Sequence, residues 1–137
     1  MAMDFRLKNG EQVRTVKALK ASATVIEAGD LVELSAGLVI KATASAAAIA
    51  WAPNGAGNGE TEIDVTVGDD FTLLGTGDGV FAVAYKGTEV DLAGTTNLVI
   101  DVTGGTTYKV LKFGIAKDAG VVGATTDITV RINKPLF

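Results

Sequence analysis

The chain has 137 residues, enough for one domain with its own core, and 47% hydrophobic against 20% charged residues separates it from disordered and highly charged chains. It contains neither Cys nor His, which excludes disulfides, thiol nucleophiles and cysteine metal sites, and removes the commonest neutral-pH base and transition-metal ligand. The formal charge of −4 is uneven: residues 1–20 carry Arg6, Lys8, Arg14, Lys17 and Lys20 against Asp4 and Glu11, a net +3 that leaves −7 on the rest.

The first twenty residues read as an extended, polar, basic arm with weak alternation around Val13 and Val16. Ala23-Thr24-Val25-Ile26 gives the first strong strand signal and ends in the turn Glu27-Ala28-Gly29-Asp30. Leu31–Leu34 and Leu38–Thr43 follow as strands around the turn Ser35-Ala36-Gly37. The run from Thr43 to Ala52 is rich in alanine, which favours helix, but it lacks a cap and a charged face, so its strand neighbours tip it towards strand. Pro53–Gly59 is a loop.

Thr61–Val67 alternates polar and apolar residues at period two, the mark of a strand with one wet face. Gly68-Asp69-Asp70 turns the chain into Phe71–Leu74, and Gly75–Gly79 turns it again into Val80–Tyr85. Further strands are predicted at Glu89–Leu92, Leu98–Val102, Tyr108–Phe113 and Asp127–Asn133. Turn signals about ten residues apart, with 17 Gly and a wealth of Val and Thr, predict an all-β fold. The expected form is a small barrel or sandwich of short antiparallel strands over residues 21–137, preceded by an extended N-terminal arm over residues 1–20. The segments 27–44 and 85–103 echo one another as Gly-x-x-Val-acid-Leu hairpins, which raises a duplicated hairpin as one reading and chance likeness as the other.

The search for chemistry returns no catalytic, cofactor-binding or metal-ligating set. Gly55–Gly59 lacks the Gly-Lys-Ser/Thr of a phosphate loop, and Gly75–Gly79 has Val80 where a dinucleotide fingerprint needs glycine. Asp64, Asp69, Asp70 and Asp78 are the carboxylates to test for calcium, but their spacing is not that of an EF-hand, and acids beside glycine ordinarily solubilise turns. Ser22, Ser35 and Ser45 have no histidine partner and no Ser-x-x-Lys motif. The expectation is a protein that is not an enzyme and uses no cofactor. Trp51 is expected as a core plug or barrel lid. Leu136 and Phe137, apolar at the C-terminal end, are expected to contact a pocket in the chain or a further copy.

Two more negatives bear on partners. Acids dilute the basic segment and only Phe5 within it offers a stacking ring, so nucleic acid is not expected. The opening residues hold no apolar run of signal-peptide type, and Leu38–Ala52 is too short and too charged to span a bilayer, so a soluble chain made in the cytoplasm is expected.

The stretch Glu27-Ala28-Gly29-Asp30-Leu31-Val32-Glu33-Leu34 … Gly37-Leu38-Val39-Ile40-Lys41-Ala42-Thr43-Ala44, following a polar arm, resembles the small head-decoration, or capsid cement, proteins of tailed bacteriophages. The likeness extends in style over residues 20–135, and only residues 27–44 carry it as a motif. The resemblance implies a virion structural protein on the outer capsid surface, binding the major capsid protein as a homotrimer through terminal arms. Phe5, Arg6, Lys8, Arg14 and Lys17 would then form the docking arm, and the mechanism would be binding alone. The body is longer than in the shortest members, which leaves the oligomeric state open. The residues also admit a bacterial surface or pilus-like adhesion module, and a glycan-binding or lytic domain.

Overall fold

The computed structural model describes residues 3–8, 13–103, 107–114 and 122–137. Eleven short strands are present among them: β1 Phe5–Leu7, β2 Thr15–Leu19, β3 Leu31–Ser35, β4 Leu38–Lys41, β5 Ala50–Trp51, β6 Glu62–Thr66, β7 Leu73–Gly75, β8 Glu89–Ala93, β9 Val99–Asp101, β10 Leu111–Phe113 and β11 Ile128–Ile132. They form a six-stranded sheet in the order β1-β7-β11-β10-β8-β9, a three-stranded sheet β4-β3-β5 and a pair β2-β6, with every ladder antiparallel. The fold is all-β and sandwich-like, as the composition requires.

Two apolar clusters hold the layers together, and the middle sheet serves both. In β3 and β5, Leu31 and Trp51 face the larger cluster, while their neighbours Val32 and Ala50 face the smaller one. A strand buried on both faces needs no polar alternation, which is why Leu31-Val32 and Ile49–Ala52 read as unbroken apolar runs. By contrast β6 buries Ile63 and Val65 and turns Glu62 and Asp64 outward, as its period-two pattern predicts.

The β3–β4 hairpin turns on Ala36 and Gly37, with φ of 50° and 82°. Two successive positive φ angles make a type I′ turn, whose twist matches that of the flanking strands. At Gly75 the reason for glycine is a neighbour: an added Cβ would lie 2.5 Å from the ring of Phe5.

Several predicted elements are corrected. Ala23–Ile26 is not a strand; Ile26 alone makes a bridge, to Ala56. Thr43–Ala52 is not one strand: residues 43–48 are irregular with turns and bends, burying Ala46, and only Ala50–Trp51 form a strand, with Ile49 bridging to Pro135. Val80–Tyr85 is not a strand either. Phe81 is anchored in the core, and Val83–Tyr85 close a 3-10 turn whose Tyr85 ring packs against Phe81 and Phe113.

Both echoed segments form hairpins, but in different sheets and in different registers. Leu34 pairs with Val39, whereas its counterpart Leu92 pairs with Ile100, one residue further along. A one-residue slip exchanges the faces of a strand. Val39 is therefore buried where Val99 is half-buried, and Ile100 is buried where Ile40 is half-buried.

Candidate docking surface

The basic segment is extended, yet its described residues are woven into the body and do not hang free. Met1, Ala2 and residues 9–12 lie outside the described residues. Phe5 is fully buried in the larger cluster, and its carbonyl, with that of Gly29, accepts the indole N–H of Trp51 at 3.2 and 3.1 Å. Phe5 is thus a core residue, and its place as a docking side chain is corrected: an aromatic ring gains more from burial than an exposed arm can offer it. Trp51 is the expected core plug.

A partly buried polar knot fastens the same end of the chain. The Lys41 ammonium lies 3.8 Å from both Asp4 and Asp30 and donates to the Thr96 carbonyl at 2.7 Å. Asp4 accepts the N–H of Leu98 and Asp30 that of Glu27. Burial pushes the Asp30 carboxyl above its ordinary value, against the Glu27 hydrogen bond and the Lys41 charge, which pull it down.

The remaining basic residues divide. Arg6 is exposed and pairs with Asp127 of the neighbouring sheet end. Lys8 is half-buried and its backbone N–H donates to Thr72. Lys20 is 2% exposed, and its ammonium is spent on the carbonyls of Ala21 and Thr24, so it adds nothing to the surface charge of the segment. Arg14 and Lys17 are exposed, Arg14 just before β2 and Lys17 at its centre; Lys17 meets Asp64 of β6 at 3.1 Å.

Strand β2 is the exception in a well-buried body. Four of its five residues are exposed, among them Val16 at 41% and Leu19 at 61%. It pairs with β6 along one edge only. The C-terminal residues reach the same end of β6. Val67 donates its N–H to Arg14 at 2.9 Å, and the adjacent Gly68 donates to Phe137 at 2.7 Å. Leu136 packs on the smaller cluster, while Phe137 stays 40% exposed. The residue before β2 and the C-terminal aromatic, singled out separately in the sequence, therefore lie beside consecutive residues just past the end of β6.

Elsewhere the surface is less distinctive. Asp64, Asp69, Asp70 and Asp78 do not converge; Asp70 faces Arg131 at 3.6 Å and Asp78 accepts the N–H of Val102. No group of three or more carboxylates placed to hold a metal occurs among the described residues. A shallow cavity of about 510 Å³ is lined by Thr43, Ser45, Thr95 and Tyr108 with Ala44, Leu92 and Gly94. No helix among the described residues is long and apolar enough to cross a membrane. No protein-family model, curated protein or solved structure matches the chain.

Proposed function

We propose that this protein is a structural binding module that decorates a protein shell, in the manner of a bacteriophage capsid cement protein. It binds the major capsid protein from outside as a homotrimer and turns over no substrate. The observation that supports the reading most directly is β2, a solvent-exposed strand that pairs on one edge only among the described residues, with Lys17 in it and Arg14 just before it on a body of opposite charge. A rigid body with one unsatisfied strand loses little entropy when it docks. Repeating a modest contact across a trimer multiplies its strength by avidity. Phe137, 40% exposed near the start of β2, would then contact a neighbouring copy or the shell.

Because Phe5 and Asp4 are structural, removing residues 1–20 is expected to unfold the protein and cannot test docking. The test is cosedimentation with shells assembled from the major capsid protein of a phage whose genome encodes this chain. The wild type should saturate the shells, and the Arg14→Glu/Lys17→Glu double variant, with unchanged circular dichroism, should bind at least about tenfold more weakly. A wild type that stays in the supernatant with expanded and unexpanded shells alike ends the proposal.

A further inference from the structure

Strand β2 has a finished edge and an unfinished one, and hydrogen-bond parity identifies which groups lie on each. The Arg14 carbonyl accepts from Val67, and the Lys20 N–H donates to Thr61. In an antiparallel ladder alternate residues share a side, so residues 14, 16, 18 and 20 direct their backbone groups to β6. Thr15, Lys17 and Leu19 direct theirs away. Ala21, next in that series, donates to Val39 of β4, which closes the edge beyond Leu19. Among the described residues nothing meets the outward N–H and C=O groups of Thr15 and Lys17. Three other edges are stopped: β1 by the bond from Phe5 to Gly29, β4 by Ala21, and β9 by the bonds joining Ile100 to Thr76 and Asp78.

We infer that this free edge takes an extended, carboxylate-bearing segment of another polypeptide as an added strand, hydrogen-bonded to Thr15 and Lys17. The inference rests on the docking role proposed for β2 and names the chemistry of its partner. Strand addition satisfies backbone groups of both chains, and the alternate side chains set the specificity. On one face Val16 offers apolar contact; on the other the Lys17 ammonium, joined to Asp64 by an exposed and therefore weak pair, keeps donors to spare. Arg14 meets no carboxylate among the described residues. The guest that complements this edge alternates acid and apolar residues.

The β2 strand of a second copy does not fit the edge. Pairing β2 with β2 sets two Arg14 and two Lys17 side by side, and like charges across a ladder are unfavourable. Of the acidic strands, β8, with Glu89 and Asp91, is paired on both sides, while β6, with Glu62 and Asp64, carries β2 on one edge only among the described residues. The β6 strand of another copy is therefore the rival guest, and concentration-dependent slowing of the Thr15 and Lys17 amides without peptide would identify it and overturn the inference.

The probe is the blocked peptide Glu-Val-Glu-Val-Glu, titrated into isotope-labelled full-length protein and followed by amide chemical shifts and hydrogen exchange. Saturable shifts should centre on residues 14–19, with the Thr15 and Lys17 amides slowed in exchange. Methylating alternate peptide nitrogens should weaken binding at least about tenfold, since it removes backbone donors and leaves the charge. The lysine counterpart of the peptide should not bind. In the protein, Thr15→Pro removes one outward N–H while keeping every charge and every bond to β6, and should weaken binding similarly. Should that variant fail to fold, the methylated peptide decides alone. Shifts centred elsewhere, no saturation at millimolar peptide, or equal binding of the methylated peptide overturns the inference. Peptide binding without shell binding would sink the capsid reading and leave the edge standing. Shell binding unchanged in a folded Thr15→Pro variant would do the reverse.

Discussion

Replacing Phe5 by Ala separates a woven strand from a free arm. The Phe5 ring is fully buried in the larger cluster and lies against Gly75, where a single added Cβ would come within 2.5 Å of it. Truncating a buried Phe to Ala costs about 3–5 kcal/mol through lost transfer energy and the cavity left behind. Here the upper part of that range is expected, because Gly75 has no side chain with which to refill the space. A domain of this size holds roughly 5–15 kcal/mol in total, so one substitution removes a large share of it. Urea unfolding followed by tryptophan fluorescence is a direct assay, since the indole of Trp51 is bonded to the Phe5 carbonyl. The midpoint should fall steeply at unchanged slope, and the melting temperature should drop by on the order of 10–20 °C. A loss below about 1 kcal/mol is the surface-residue outcome and would place Phe5 on a detachable arm, refuting the packing described above.

Two further substitutions probe the polar interior. Burial raises the proton affinity of Asp30 in the folded chain, so its contribution to stability is fully present below the ordinary carboxylate value and is lost as pH rises through the raised one. Asp30→Asn keeps an acceptor for Glu27 and should gain on the wild type in urea midpoint between pH 4 and pH 7; a variant that instead falls behind over that range would show the Lys41 attraction outweighing burial. Thr66 is buried and its Oγ1 accepts the backbone N–H of Trp51 at 2.9 Å. Thr66→Val strands that donor and should cost about 1–3 kcal/mol by thermal unfolding, whereas no change would mean the N–H finds another acceptor.

What the sequence determined by itself was mostly local. Period-two alternation located β6, paired apolar runs around Ala36-Gly37 located the β3–β4 hairpin, and the wealth of Val, Thr and Gly made the chain all-β. These are properties of a few neighbouring residues and a turn, and they survive any tertiary arrangement. The same information went astray where packing set the outcome. Val80–Tyr85 has strand composition, but anchoring Phe81 among aromatic rings favoured a tight turn. The basic segment looked like an arm because its charges are visible in sequence and its partners are not. Only the fold brought Asp127 to Arg6, Asp64 to Lys17 and Gly75 to Phe5, from 121, 47 and 70 residues away. Lys20 looked like one more surface cation until two carbonyls claimed it. The two echoed hairpins are alike in residues, yet their second strands bury opposite faces, because register is fixed by the layer each strand must cover. Sequence also marked Arg14 and Lys17 as exposed cations. That they stand in and just before a strand paired on one edge among the described residues, near the C-terminal Phe137, was decided by which strands found partners, and strand pairing is a long-range choice.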